Sequence, residues 1–146
     1  MNSPKPRLIG LDIGDRRIGI AISDPLGYTA AGLETIERTN RDNDVRRIAD
    51  LAQRHGAIEI VVGLPYNMDG STGDQAEKVK SFCKRLARAT GLPIIYEDER
   101  LTTISAIRTL TLQGVKTGKN RDLVDKQAAA IILQKYLDRK TPPPSA

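Results

Sequence analysis

Leu8-Ile9-Gly10-Leu11-Asp12-Ile13-Gly14-Asp15-Arg16-Arg17-Ile18-Gly19-Ile20-Ala21-Ile22-Ser23-Asp24 carries the strongest strand pattern in the chain. Leu8 to Ile13 is a short, almost continuous apolar run, the pattern of a strand covered on both faces. Ile18, Ile20 and Ile22 then recur with period two, so a second strand returns beside the first through a turn at Gly14-Asp15-Arg16-Arg17. Asp12 is the anomaly. An ionised carboxylate inside such a strand needs a partner, a metal ion or an opening to water. Bonding to turn amides at the strand end accounts for it as readily as a functional role does. The small residues Gly19, Ala21 and Ser23 on the second strand leave room for something to approach that face.

Working outward, Tyr28 to Ile36 reads as a third strand that completes an antiparallel meander. Val45, Ile48, Leu51 and Ala52 follow at helical spacing, started by cap residues in Asn40 to Asn43 and stopped at Gly56. His55, the only histidine, falls in the last turn, where it suits the negative end of the helix dipole better than a metal or a base. Ile58 to Val62 is a buried-type strand, and a polar loop runs from Tyr66 to Gly73. That loop lacks the Gly-Lys-Ser/Thr ending of a phosphate-binding P-loop. Ala76, Val79, Phe82, Cys83 and Leu86 form one face of a second helix ended by Gly91. Leu92 to Tyr96 is a further strand running into the acidic Glu97-Asp98-Glu99.

Thr102 or Thr103 can cap a helix carrying Ile104, Ile107 and Leu110, and Gly114 to Arg121 reads as a basic loop. The last helix is expected to begin near Asp122, with Ala128, Ala129, Ile132 and Tyr136 on its apolar face. Helical spacing puts Asp125 on that same face. Asp122 and Asp125 also suit the positive end of a helix dipole, as an N-cap and a first-turn acid. Residues 141–146, with three consecutive prolines, are expected to be a disordered tail, leaving one domain over 1–140.

Composition narrows the function classes. Lys and Arg outnumber Asp and Glu by 23 to 18, a net charge of +5 that suits a polyanionic partner. One cysteine, Cys83, excludes an internal disulfide and fits a reducing cytoplasm. No apolar run approaches the roughly 20 residues of a membrane span. Aromatic residues are 3% of the chain, so a platform for stacking single-stranded bases is not evident.

Strands first and then alternating helix and strand specify an α/β domain with a mixed sheet, meander plus parallel strands, whose functional residues gather at the carboxyl ends of the strands. Asp12, Glu99 and Asp125 are the acids this arrangement can bring together. Three converging carboxylates repel one another unless they share cations, and an all-oxygen donor set favours Mg²⁺ or Mn²⁺ over Zn²⁺.

The ordered set of motifs resembles a known family. Leu11-Asp12-Ile13-Gly14, Val62-Gly63-Leu64-Pro65, Asn67-Met68-Asp69-Gly70, Asp98-Glu99-Arg100-Leu101-Thr102-Thr103 and the run from Asp125 to Gln134 are together similar to the YqgF family. Its members are named as Holliday-junction resolvases or pre-16S rRNA nucleases. The resemblance covers nearly all of the chain except the proline tail. It implies a ribonuclease H-like fold with a mixed five-stranded sheet, and a metal-dependent endonuclease whose catalytic and metal-binding carboxylates are Asp12, Glu99 and Asp125. Asp98 and Asp122 are further candidate ligands. Asp98 and Glu99 must point in opposite directions on a strand, and Glu99 is preferred. Arg16, Arg17, Arg100, Lys116 and Lys119 are candidate phosphate contacts, exposed surface charge being the plainer account.

The expected substrate is structured nucleic acid: precursor ribosomal RNA or branched DNA. Junction cleavage needs two symmetric cuts and hence a homodimer, whereas RNA trimming works as a monomer. Two other classes compete. An Asp-x-Gly hairpin also opens sugar-kinase and actin-like ATPases, but their paired lobes do not fit in 146 residues. A non-catalytic nucleic-acid binding protein would have no use for the acids.

Overall fold

The computed structural model describes residues 7–66, 69–99 and 118–140, with side chains from 122 onward in the last segment. Five strands form one sheet: β1 (Arg7–Ile13), β2 (Arg17–Ser23), β3 (Ala30–Glu37), β4 (Ala57–Leu64) and β5 (Ile94–Asp98), with helices α1 (Arg41–Arg54), α2 (Asp74–Thr90) and α3 (Gly118–Lys140). The spatial order is β3-β2-β1-β4-β5. β1, β2 and β3 pair antiparallel, while β4 and β5 continue from β1 in parallel. This is the expected mixed sheet, with β1 at the point where the meander meets the parallel half.

The period-two pattern sends alternate residues to two different cores. Ile9, Leu11 and Ile13, with Ile18, Ile20, Ile60, Val62 and Leu64, pack under α1 and α2 against Ile48, Phe82 and Leu86. Leu8, Ala21 and Val61 face the other way, against Ala128, Ala129, Ile132, Leu133 and Leu137 of α3. Asp12 has the parity of Leu8, so it lies on the α3 side.

α3 approaches the sheet closely because glycines floor its path. A Cβ at Gly10 would stand 2.7 Å from that of Leu133, and one at Gly32 would stand 2.8 Å from that of Lys126. Gln134 further fastens α3 to the β2–β3 hairpin, accepting from Ala30 N at 2.9 Å and donating to Tyr28 O at 2.9 Å.

Several boundaries differ from the sequence reading: β4 is longer than expected, over Ala57–Leu64, and β5 begins at Ile94 rather than Leu92. α3 begins at Gly118 rather than near Asp122, so the end of the expected basic loop is the helix's first turn. Asp122 is therefore no N-cap, and Asp125 lies beyond the first turn. β5 ends at Asp98, because its ladder with β4 continues through Gly63↔Glu97 and Leu64↔Asp98. β3 starts at Ala30, because Tyr28 N and Thr29 N are taken by Asp24 Oδ1 in the preceding turn. Asn40 caps α1 by accepting from Asn43 N, and His55 is its C-cap, as expected. Gly91 ends α2 with φ of 70°, the left-handed conformation that favours glycine. The helix expected around Ile104, Ile107 and Leu110, and the tail at 141–146, lie outside the described residues.

Candidate functional site

A cleft of about 460 Å³ opens where β1 ends. Four carboxylates line it, Asp12, Asp15, Glu99 and Asp125, with the guanidinium groups of Arg16 and Arg17; Ile13, Gly14, Pro65 and Gln75 complete the wall. Counting charges, the lining carries four negative and two positive groups, a net of −2 at neutral pH.

Each acid is brought there by a separate piece of chain. Asp12 is the Cα partner of Gly19 across the β1–β2 ladder, so both face α3, and its side chain is 5% exposed. A Cβ on Gly19 would overlap the backbone carbonyl of Asp125. The missing side chain at Gly19 thus lets α3 come down beside Asp12 and deliver Asp125 from the helix flank. Glu99 follows β5 by one residue and shares the parity of Glu97, which pairs with Gly63 on β4. Its Oε1 lies 2.5 Å from where a Gly63 Cβ would stand, so Gly63 makes the space that Glu99 occupies.

Asp98 is not among the residues lining the cleft; its main-chain oxygen accepts from Lys135 Nζ at 2.8 Å. Asp122 does not line the cleft either. It is exposed, and its carbonyl accepts from the Thr35 hydroxyl at 2.6 Å.

The two turn arginines have different surroundings. Arg16 is exposed at the cleft rim. Arg17 has the parity of Gly19 and turns inward, where its Nε donates to Asp125 Oδ2 at 2.7 Å; the side chains are 23% and 18% exposed. Arg100 and Lys116 lie outside the described residues, as does the side chain of Lys119, whose backbone is in the first turn of α3.

Sequence reasoning missed a support beneath the turn. Asp44, 1% exposed, accepts from Arg38 Nε at 3.2 Å and from Thr39 N at 3.0 Å. The Arg38 guanidinium also donates to Gly14 O at 3.0 Å and lies 5.1 Å from the Phe82 ring centroid, while its backbone N–H donates to Arg16 O at 2.8 Å. One arginine thereby ties the Gly14–Arg17 turn to α1 and the core. An aspartate in the first turn of a helix looks like a dipole residue, which hid this role. Glu97 is likewise buried, paired with Arg139 Nη2 at 2.5 Å; its period-two spacing from Glu99 was the available signal. Cys83 is buried, and burial pushes its thiol up to about 12, which removes it as a nucleophile.

Among the described residues, no three acids, histidines or cysteines form a ready-made cage for a metal ion. The donor chemistry nevertheless suits a hard divalent cation, since the side-chain donors with negative charge are all oxygens and the lining has an excess of two negative charges.

Residues 6–139 match the model of the family described as "RuvX: Holliday junction resolvase". A protein from Moorella thermoacetica is 49% identical over 133 residues, covering 91% of this chain and 95% of that protein. One from Clostridium tetani is 48% identical over 132 residues, covering 90% and 96%. Both carry the name "Putative pre-16S rRNA nuclease". In fold, the chain is similar to Thermus thermophilus RuvC in complex with a Holliday junction substrate, with a TM-score of 0.58 and 16% identity over 92% of this chain and 95% of that one. It is also similar to a fowlpox virus resolvase in complex with Holliday junction DNA, with a TM-score of 0.52 and 13% identity over 92% and 98%.

Proposed function

Because the chain belongs to the RuvX family, the same family as YqgF, we propose that it is a divalent-metal-dependent endonuclease acting on structured nucleic acid, with the processing of pre-16S ribosomal RNA as its task. The observation that carries this reading is the convergence of Asp12, Glu99 and Asp125 on one cleft from three separated segments. Relatives at 48–49% identity with matching length and a nuclease name favour the RNA substrate. Holliday junction DNA is the second reading, favoured by the family description and by the RuvC-like fold. We place the protein in the cytoplasm, where either substrate resides; no helix among the described residues is long and apolar enough to cross a membrane.

In this reading Asp12, Glu99 and Asp125 would hold Mg²⁺ or Mn²⁺. When bound, the metal supplies Lewis-acid polarisation of the phosphate and lowers the pKa of an attacking water. Asp12 is the fixed reference, buried in the sheet and backed by Gly19. Arg16, at the rim, donates to a phosphate of the bound strand. Arg38 keeps the Gly14–Arg17 turn at its position beside Asp12. On RNA the chain acts as a monomer. On a junction, two symmetric cuts require a homodimer.

The test is cleavage of end-labelled pre-16S rRNA fragments and four-way DNA junctions in Mg²⁺ and in chelator, by the native protein and by Asp125→Asn. Cleavage that requires Mg²⁺ and falls by about 100-fold or more in the variant, with nucleic-acid binding retained, is the expected result. Equal cleavage in chelator would overturn the metal-dependent reading, and the preferred substrate decides between RNA and junction DNA.

A further inference from the structure

We propose that Arg17 is a resident counter-cation of the site, which neutralises Asp125 before metal arrives and must exchange with the metal for that carboxylate, so that Arg17 sets the affinity for divalent cations. The inference rests on the metal-dependent reading above and deepens it.

Three observations carry it. First, Arg17 Nε stands 2.7 Å from Asp125 Oδ2 in a pair that is less than a quarter exposed, and both residues line the cleft that holds Asp12 and Glu99. A guanidinium stays protonated at any physiological pH, so this is a permanent positive charge at the place where a cation would bind. Second, no three acids among the described residues already form a metal cage. Asp125 is bonded to Arg17 instead. Third, the pair has one mobile member. The backbone of Asp125 fills the space above Gly19, so α3 has no room to come closer, and Gln134 ties the same helix to the β2–β3 hairpin. Arg17 reaches Asp125 through a long flexible side chain rooted in the turn beside Asp12. Exchange therefore proceeds by rotation of Arg17 and leaves α3 in place.

Electrostatics makes the exchange competitive. A divalent cation coordinated by Asp125 would stand within a few ångströms of the guanidinium, and like charges at that separation repel strongly in a partly buried site. The metal displaces Arg17 or binds weakly beside it. Once displaced, the guanidinium remains in the cleft, where a phosphate is its natural new partner.

The experiment is calorimetric titration of Mn²⁺ into the native protein, Arg17→Gln and Arg16→Gln at one ionic strength. Arg17→Gln should tighten the Mn²⁺ Kd by about tenfold, and Arg16→Gln, whose charge is exposed and screened, by no more than about twofold. Arg17→Gln binding Mn²⁺ no more tightly than the native chain overturns the proposal while the metal site stands. If none of the three binds Mn²⁺ at millimolar concentration, the proposal and the metal-dependent reading fall together.

A second measurement needs no variant to fold. In the native protein, the Arg17 Nε–H resonance, held by the carboxylate, should move towards the position of a free arginine as Mg²⁺ saturates the site. A resonance that stays in place while Mg²⁺ binds overturns the exchange.

Discussion

Gly19 stands directly across the β1–β2 ladder from Asp12, and the backbone of Asp125 occupies the space a side chain at Gly19 would need. The contact is with main chain rather than with the end of a flexible side chain, so it cannot yield locally. Gly19→Ala should therefore lift α3 from the sheet at Asp125, costing about 1–3 kcal/mol of stability and reducing cleavage more than it reduces nucleic-acid binding. A melt together with parallel cleavage and binding assays checks this, and an alanine variant of native activity would show that the approach is not needed.

Arg16 and Arg17 should differ in their salt signatures. Arg16→Ala should lower the slope of log K against log salt by about 0.9 for duplex DNA, the amount expected of one phosphate contact. Arg17→Ala, measured in chelator, should change it much less, because its charge is already engaged by Asp125. Equal slopes for the native protein and Arg16→Ala would assign Arg16 to the surface of the turn.

Asp44→Ala should be among the most destabilising single changes outside the apolar core. It leaves Arg38 without its carboxylate beside Phe82 and removes the acceptor for Thr39 N, at a cost of about 3 kcal/mol or roughly 10 °C in Tm. The Gly14–Arg17 turn should loosen with it, visible as faster amide exchange at Gly14. Normal protection there would mean that the turn does not depend on Arg38.

Cys83 should resist iodoacetamide at pH 8 in the folded protein and react once unfolded, because burial raises its thiol from 9.0 to about 12. Below pH 9 the thiol is neutral in both states. Above it the unfolded chain ionises first, so stability falls as pH rises towards 12, by at most about 1.4 kcal/mol per pH unit from this group. Labelling of the native protein at pH 8 at the rate of the unfolded chain would contradict the burial.

The strand pattern around Asp12 was legible because period-two alternation fixes which residues share a face. The same rule, applied one step further, puts Arg17 with Gly19 and Asp12 on the inner face and separates it from Arg16. Grouping the two arginines as one basic turn obscured that. It likewise puts Glu97 on the face of Glu99. The start of α3 was not legible. Gly118, Lys119, Asn120 and Arg121 contain no apolar residue to set a helical period, and glycine argues against a helix there. The pair between Arg17 and Asp125 depends on where a distant helix lands, and that is fixed by the glycine floor, a tertiary feature that no local pattern reports.

The glycine floor also bears on the order in which the protein comes into being. Arg17 and Asp125 are 108 residues apart in the chain, so the site is closed by one of the longest loops the domain must organise. A chain leaving the ribosome can pair β1 with β2 and β4 early, but the sheet face floored by Gly10, Gly19, Gly32 and Gly63 stays uncovered until Gly118–Lys140 has emerged. The nascent protein therefore carries Asp12 without Asp125 through most of its synthesis. The cleft that gathers Asp12, Glu99 and Asp125 is completed only once the end of the domain has joined the sheet.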